Sequence, residues 1–468
     1  LVAGAICIGL CLFGIRGRMG YNPIKVSQAY YCEDPFLNQL GVNPVFNLLT
    51  STLDDNRKEN RTLHLMSEED ALSKVQKYLH RQGIDRLSPI ARKVEREGTP
   101  NRRNVVLVFM ESMSANLMGT FGSDKKLTPY LDSLYQQSLS FSHFYSSGIH
   151  TNHGIYSTLY SFPAIMKRNA MKGSVIPVYS GLPTVLQENG YCNLFFMTHE
   201  SQYDNMNAFL RTNGFDEIYA QENYPSEKVV NSFGVQDDFM YQYALPILNE
   251  RAGTGNPFFS VLLSISNHPP YVIPPYFHPH SDVLEEQIVE YADWSIRQFM
   301  QAAEKQPWFD NTIFVFLGDH GKMVGTPECE MPQSYNHIPL MIYGKDIKPG
   351  VYDGFGGQVD VSPTLLGLLN ISYLQNNFGV NLLEEERPCM FFTADNLIGA
   401  RDSVNMFIYS PDSQQEFKYK LEEGKLHAAT GTDEEAFRNL KDYCFSMLQS
   451  TESLVKEHKT LDKVSVKK

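Results

Sequence analysis

Runs of consecutive apolar residues, each ending in small or polar residues, recur through the middle of the chain. The clearest run, residues 105–110 (VVLVFM), has the composition of a strand buried on both faces of a parallel sheet. Similar runs predict strands at 194–197, 258–266, 313–317 and 339–343. The run at 313–317 ends abruptly in Gly-Asp-His-Gly, where small residues permit a tight turn at the carboxyl end of the strand.

Segments with helical periodicity alternate with these runs. They predict helices at 128–137, after Thr151, at 182–189, at 285–304 and from near Ser362. Alternation of strands and helices is typical of an α/β fold with a largely parallel central sheet flanked by helices.

The two ends of the chain have other patterns. Residues 16–66 show no clean period and predict an extended, partly ordered connector, after which Ser67 is expected to cap a helix reaching about residue 80. The basic stretch 92–103 is interpreted as a solvated linker. A hairpin around 422–424 and a helix at 433–456 predict a small C-terminal α+β subdomain. The predicted division is therefore 1–15, 16–103, 104–400 and 401–468.

Residues 1–15 (LVAGAICIGLCLFGI) are apolar and are followed by Arg16 and Arg18. Fifteen residues are too few to span a bilayer, so we interpret them as the end of a transmembrane helix whose start is missing. The core of a signal peptide is the alternative, but there the basic residues precede the apolar run. Basic residues after a membrane helix favour a cytoplasmic segment at that point.

Composition narrows the class of protein. The 468 residues are 42% hydrophobic and 20% charged, enough to build a large core. The net charge of −13 argues against a nucleic-acid-binding protein. Seven cysteines lie scattered without Cys-x-x-Cys spacing, so neither a zinc ribbon nor a disulfide scaffold is indicated.

Polar residues follow four of the predicted strands. Glu111, His199 and His268 stand at or just after three strand ends, and the pair Asp319-His320 follows the fourth. Each could be a structural residue by itself, but the carboxyl ends of parallel strands share one edge of a sheet, where ligands usually bind. A carboxylate beside an imidazole at such an edge is suited to a divalent metal.

Thr151 is the candidate nucleophile. It precedes the periodic segment 155–160 and is expected at a helix N-terminus, where free N–H groups favour an anion. Coordination to a metal would lower the pKa of its hydroxyl. The alternative is that Thr151 only caps the helix. His150 and His153 flank it and fit either assistance or local packing.

Six segments in order carry a resemblance to a known family: VVLVFMES, SSGIHTNHG, FFMTHESQYDNMNAFLRTNGFD, SISNHPPY, FVFLGDHG and QVDVSPTLLGLL. The set resembles the lipoteichoic acid synthase branch of the alkaline-phosphatase/sulfatase superfamily, and the segment from residue 16 to 49 is similar to the connector that follows the membrane helices of those enzymes. The resemblance implies an enzyme of the bacterial cytoplasmic membrane with an extracytoplasmic catalytic domain, opposite to the side that the two arginines favour.

The resemblance also implies roles for individual residues. One divalent metal, most commonly Mn²⁺ with Zn²⁺ or Mg²⁺ as alternatives, would be held by Glu111, Thr151, Asp319 and His320. Thr151 would attack a phospholipid or glycolipid phosphodiester and carry a phosphothreonine intermediate. His268 would bind phosphoryl oxygens or act as acid and base, and His199 would line the substrate site. For His337 the candidate roles are substrate contact, a second metal, or a plain core or loop histidine.

One departure bears on the substrate. The family has a Trp and an Arg shortly after the position of His199, and residues 203–207 (YDNMN) contain neither. The arginine clamp for an anionic headgroup is missing from that place, which leaves the transferred group open between glycerophosphate and a related headgroup.

Two other functions compete with a headgroup transferase. A phosphodiesterase or sulfatase-family hydrolase is the first, although no C/S-x-P-x-R frame is present to make formylglycine. A catalytically inactive binding protein is the second, and such a protein is expected to have lost the metal ligands.

Overall fold

The structure is a computed structural model that describes residues 2–19, 23–32, 35–55, 57, 60–84, 87–173, 176–422, 424–429 and 434–462. Its centre is an eight-stranded sheet. In order across the sheet the strands are Gly350–Gly357, Leu139–Tyr145, Leu340–Tyr343, Thr312–Gly318, Asn104–Met110, Phe258–Leu263, Cys192–Met197 and Glu217–Tyr219. All neighbours are parallel except Leu340–Tyr343, which runs antiparallel to both of its partners. The prediction of a largely parallel sheet is confirmed.

Three adjacent strands form the middle of this sheet. Asn104–Met110 pairs in parallel with Thr312–Gly318 on one side and with Phe258–Leu263 on the other, and every residue of the three is buried. Met110 is opposite Gly318, so the residues that follow both strands emerge side by side. This register brings Glu111 and Asp319 to the same edge of the sheet.

Helices cover both faces of the sheet, as the alternation in the sequence predicts. The α-helices in the described part of the chain are Val2–Arg16, Pro35–Leu40, Pro44–Asp55, Glu68–Tyr78, Pro129–Gln137, Thr151–Tyr160, Leu182–Glu188, Met206–Thr212, Asp237–Ala252, Leu284–Ala303, Val361–Leu368 and Glu434–Lys456. Alternate side chains of the central strands enter two separate apolar cores: Val105 and Leu107 point into one, and Val106 and Val108 into the other. This explains why the central strands are apolar without interruption.

Three strands of the sheet were not predicted from sequence, and one of them, Glu217–Tyr219, is a three-residue strand at the edge next to Cys192–Met197. Leu139–Tyr145 (LSFSHFY) mixes polar and apolar residues, and Gly350–Gly357 contains four glycines and is half exposed. Both lie at one margin of the sheet, where only one face needs to be apolar. The predicted strand at 258–266 is shorter than expected and ends at Leu263.

A second, antiparallel sheet lies near the C-terminus. Its strands follow one another as Met390–Thr393, Ile398–Arg401, Asn405–Ser410, Gln415–Glu422 and Lys425–Ala428, and helix Glu434–Lys456 packs on them. Of the predicted hairpin turn, Glu423 lies outside the described residues, as does residue 433 at the predicted helix start. The sheet begins at Met390, and the four-part division of the chain stays a prediction.

The N-terminal region contains more regular structure than its sequence pattern indicates. Helices Pro35–Leu40 and Pro44–Asp55 fall within the stretch expected to be extended, and Arg92–Val94 in the expected linker forms a short antiparallel pair with Tyr373–Gln375. Ser67 caps helix Glu68–Tyr78 as predicted, since its hydroxyl accepts from the Asp70 N–H. Helix Val2–Arg16 buries none of its residues. Among the helices that the structure describes, none reaches the length and apolarity required to span a bilayer.

Candidate active site

Glu111, Asp319 and His320 meet at the carboxyl edge of the central strands. One potential ligand atom from each lies within 4.8 Å of the other two. His320 Nε2 is 3.8 Å from Glu111 Oε1 and 3.5 Å from Asp319 Oδ2. Asp319 is fully buried and Glu111 is 2% exposed. The three residues that the sequence places at two strand ends therefore form one compact cluster.

Hydrogen bonds orient each member of this cluster. Asp319 Oδ1 accepts from the backbone N–H groups of Ser112 and His320, at 2.9 and 2.7 Å. Glu111 Oε1 accepts from the Ser112 hydroxyl at 2.6 Å. His320 Nδ1 donates to the Gly321 carbonyl at 2.7 Å, because a carbonyl oxygen can only accept. In the neutral imidazole this hydrogen bond places the lone pair on Nε2, the nitrogen that faces the two carboxylates.

The cluster fits a divalent cation. Burial and the neighbouring negative charge of Asp319 raise the pKa of Glu111 well above its ordinary value. Asp319 Oδ2 is buried without any hydrogen-bond partner, a state that costs free energy unless another group satisfies it. A cation between the carboxylates removes both penalties, and two carboxylates with an imidazole suit Mn²⁺, Zn²⁺ or Mg²⁺.

Thr151 is the first residue of helix Thr151–Tyr160 and stands beside this cluster. Its Oγ1 donates to Glu111 Oε2 across 3.3 Å. The N-cap of the helix is His150, so Thr151 does not serve as the cap. Gly154, one turn along, lets the helix approach the cluster closely: a Cβ atom there would lie 2.2 Å from the Asp319 carbonyl oxygen. The small residue at this position therefore brings the Thr151 hydroxyl next to the carboxylates.

His268 and His199 follow the neighbouring strands Phe258–Leu263 and Cys192–Met197 at the same edge of the sheet. His268 is half-buried, its Nδ1 donates to the Pro269 carbonyl at 2.6 Å, and burial lowers its pKa. Burial also lowers the pKa of His199, which contacts the Tyr203 ring at a centroid distance of 4.8 Å. Both imidazoles thus follow strands at the edge that carries the cluster, and both are neutral at pH 7.

His337 is held elsewhere. Its Nε2 donates to the Ser142 carbonyl at 2.9 Å, and its ring stacks on Tyr145 and meets Phe121 edge-on. Burial lowers its pKa to about 4. These contacts match those of a packed core histidine, and its contact with substrate stays a prediction.

The histidines that flank Thr151 also have protein partners. His150 Nε2 is 2.6 Å from Asp395 Oδ1, and His153 is buried with Nε2 near the Arg168 carbonyl at 3.3 Å. Burial lowers the pKa of His153 to about 3, so it is neutral and packed against the helix end.

Gln358 forms hydrogen bonds that connect two parts of the site, and it was not identified from sequence. It is fully buried, and its amide donates to the Gly318 and Asp319 carbonyls at 3.1 and 2.6 Å while its oxygen accepts from the Ser147 N–H at 3.0 Å. It thereby links the Asp319 strand end to the loop that leads to Thr151. An isolated glutamine before a helix carries no pattern that predicts such a role.

Lys322 is a second residue that the sequence did not identify. Its Nζ donates to Asn267 Oδ1 at 2.5 Å and lies 5.6 Å from the centre of the Tyr271 ring. Burial lowers its pKa to about 8. The sequence could have indicated a positively charged side chain near the cluster, since Lys322 follows His320 by only two residues.

A sequence model of the Sulfatase family matches residues 103–371, more than half of the chain. The matched part contains the whole cluster and Thr151. The chain belongs to the Sulfatase family.

Several curated proteins are similar to this member of the Sulfatase family. It is 25% identical over 362 residues to "Lipoteichoic acid synthase-like YvgJ" of Bacillus subtilis, covering 70% of this chain and 56% of the relative. It is 24% identical over 400 residues to the lipoteichoic acid synthase of Staphylococcus aureus, covering 75% of this chain and 58% of the relative. The chain thus spans a little over half the length of these relatives.

Solved structures with the same fold include a protein of the alkaline phosphatase superfamily from Vibrio parahaemolyticus. It is 26% identical, with a TM-score of 0.76, and the match covers 84% of this chain and 97% of that one. The lipoteichoic acid synthase LtaP of Listeria monocytogenes shares the fold at 22% identity and a TM-score of 0.66, over 82% and 98% of the two chains. The predicted alkaline-phosphatase/sulfatase fold is confirmed.

Proposed function

We propose that this protein is a metal-dependent transferase that moves the phosphate-bearing headgroup of a phospholipid, through a phosphothreonine formed on Thr151. The observation that carries the proposal is the position of Thr151 Oγ1, at a helix N-terminus and 3.3 Å from Glu111 Oε2 in the buried cluster. A threonine with a purely structural role would not require two buried carboxylates next to its hydroxyl, one of which, Asp319, has an oxygen without a hydrogen-bond partner.

Glu111, Asp319, His320 and Thr151 would hold the metal. When bound, the metal lowers the pKa of the Thr151 hydroxyl and neutralises negative charge on the phosphoryl group. We propose Mn²⁺, with Zn²⁺ or Mg²⁺ as alternatives for the same donor set. The free N–H groups at the start of helix Thr151–Tyr160 would add positive electrostatic potential at the transferred group.

The first step forms a bond between Thr151 Oγ1 and phosphorus and breaks the bond from phosphorus to the lipid alcohol. The Thr151 proton is released to solvent. The anionic phosphodiester favours the protonated form of His268. His268 Nε2 can therefore donate a proton to the departing alcohol, because Nδ1 is held by the Pro269 carbonyl.

The second step reverses these roles. The neutral His268 Nε2 accepts the proton of an acceptor hydroxyl as the acceptor oxygen bonds to phosphorus. The bond from phosphorus to Thr151 Oγ1 breaks, and Thr151 regains a proton from solvent. If water takes the place of the acceptor, the same residues perform hydrolysis.

The names of the relatives support a phosphoglycerol headgroup and an envelope location. We propose that the enzyme is anchored in the bacterial cytoplasmic membrane with its catalytic part outside. The apolar helix Val2–Arg16, none of whose residues is buried, supports this proposal. Fractionation of cells, followed by protease treatment of intact spheroplasts, tests it: the protein should be in the membrane fraction and be degraded from outside.

Intact mass spectrometry tests the chemistry. Mn²⁺-loaded protein is incubated with phosphatidylglycerol, with phosphatidylethanolamine and with a sulfate ester, and the mass added to Thr151 identifies the transferred group. Thr151→Val should abolish both adduct and turnover. Thr158→Val is the matched control, since Thr158 is buried in the same helix and its hydroxyl has no partner. Adduct formation in Thr151→Val at the wild-type level would refute the proposal.

A further inference from the structure

The N-terminal connector touches the wall of the candidate site directly. Asn207, in the first turn of helix Met206–Thr212, donates from Nδ2 to the Ser27 carbonyl at 3.2 Å and to the Tyr30 carbonyl at 2.8 Å. Ser27 is 1% exposed and Tyr30 is 3% exposed. The Ser27 hydroxyl donates in turn to the Gln202 carbonyl. This part of the connector is therefore packed into the fold and is not a loose tether.

The element it contacts is a tight turn, residues 200–205, that joins His199 to helix Met206–Thr212. Two consecutive residues of the turn, Asp204 and Asn205, have positive φ angles of 49° and 68°. Asp and Asn adopt this left-handed conformation more readily than other residues with side chains, which permits the tight reversal of the chain here. Glu200 at the start of the turn forms an ion pair with Arg18 of the connector. The connector therefore contacts the turn at its start, through Glu200, and just after its end, through Asn207.

The turn faces a cavity beside Thr151. The cavity has a volume of about 490 Å³, and its lining includes His150, Asn152, Lys172, Tyr203 and Asp204. Asp204 accepts from Asn152 Nδ2 at 3.0 Å and from Lys172 Nζ at 3.3 Å. Asn152 follows Thr151 in the helix, so the carboxylate of the turn is bonded to the residue next to the proposed nucleophile. Thr151 itself is not among the residues that line the cavity.

The chemistry of this lining suits a polar headgroup. Asp204 and the Tyr203 hydroxyl can bind the hydroxyl or ammonium groups of a glycerol or ethanolamine headgroup, and Lys172 can bind its phosphate. Arg57 and Arg168 also line the cavity, whereas residues 203–207 contain no arginine. The contribution of the turn to recognition therefore depends on how Tyr203 and Asp204 are positioned.

We propose that the connector, through Arg18, Ser27 and Tyr30, is a positioning element of the headgroup site: it holds the turn 200–205 so that Tyr203 and Asp204 face the cavity beside Thr151. The inference rests on the proposed function for the identity of the ligand, while the docking itself does not. It assigns to the segment nearest the membrane a direct effect on substrate binding.

The variant Asn207→Asp tests the proposal in the full chain. It keeps the size of the side chain and the acceptor for Arg211 Nε, which lies 3.0 Å away, but places a carboxylate against the two connector carbonyls. We expect amide hydrogen exchange in residues 200–207 to rise at least about tenfold and KM for the phospholipid to rise about fivefold, with kcat within a factor of about two. Arg211→Met is the matched control, because it removes the other partner of Asn207 and leaves the connector bonds intact.

A charge exchange adds a rescue. Arg18→Glu and Glu200→Arg should each raise KM, and the double variant should restore it toward the wild-type value. Unchanged hydrogen exchange in Asn207→Asp would overturn the proposal, and so would faster exchange with unchanged KM and unchanged binding of glycerol phosphate and phosphoethanolamine.

These last two probes separate the two proposals. They measure headgroup binding by titration and do not require turnover. If the wild-type protein turns over no phospholipid but binds a probe, and Asn207→Asp weakens that binding, the proposed function fails and the positioning role stands.

Discussion

Replacing Gln358 with methionine is expected to destabilise the protein by about 3 kcal/mol. The buried amide makes three hydrogen bonds, to Ser147 N–H and to the Gly318 and Asp319 carbonyls. Each such bond contributes about 1 kcal/mol, and methionine fills a similar volume, so little of the loss comes from a cavity. The same change frees the Asp319 backbone, and we expect affinity for Mn²⁺ to fall about fivefold.

Urea unfolding followed by circular dichroism at pH 7.5 with a chelator measures the stability, and titration calorimetry with Mn²⁺ measures the affinity. The comparison requires equal slopes of free energy against urea for both proteins. Gln187→Met is the control, since that side chain makes a single exposed bond to Asp216 and its loss should cost less than about 0.5 kcal/mol. A loss below about 1 kcal/mol for Gln358→Met would refute the reasoning that this amide supports the site.

Three further predictions concern the cluster and its surroundings. Glu111→Gln should stabilise the metal-free protein by about 1 kcal/mol at pH 8, because it removes a buried carboxylate whose pKa is raised beside Asp319. The same change should weaken Mn²⁺ binding at least about tenfold. Urea unfolding with a chelator measures the stability and calorimetry measures the Mn²⁺ affinity, and lower stability of the metal-free variant would contradict the first expectation. His337→Gln should reduce the pH dependence of unfolding. The unfolded chain takes up a proton near pH 6.5 and folded His337 only near pH 4. Stability is therefore lost as pH falls between these values, by about 3 kcal/mol from this residue, and an unchanged slope in the variant would count against a neutral imidazole at this position. Gly154→Ala should lower the free energy of unfolding in urea by about 2 kcal/mol and weaken Mn²⁺ binding, because the added Cβ collides with the Asp319 carbonyl. Gly350→Ala is the control, since the space around Gly350 is open and the free energy of unfolding should hardly change. Equal effects of the two substitutions would refute the close approach of Gly154 to Asp319.

Much of the fold and of the candidate site could be predicted from sequence because the pattern that carries the information is local. A strand buried on both faces must be apolar throughout, so 105–110 and 313–317 were recognisable without any knowledge of their neighbours. Parallel strands place their carboxyl ends at one edge. That rule alone brought Glu111 and Asp319 together, as the register of the two strands shows.

Other features depend on contacts between distant parts of the chain. Marginal strands such as Gly350–Gly357 lack a distinctive pattern because only one face is covered. A histidine looks the same in sequence whether it faces a cluster or packs on rings, and only the surroundings of His337 show that it is stacked and bonded to a carbonyl.

The sequence by itself determined the five most apolar strands of the central sheet, the polar residues at strand ends and the position of Thr151 at the start of a helix. Only the tertiary structure decided that Gln358 supports Asp319 from about forty residues away and that Asn207 holds the connector against the turn beside Thr151. The physical reason is that periodicity reports which face of an element is buried, whereas a hydrogen bond between remote residues depends on how the finished elements pack.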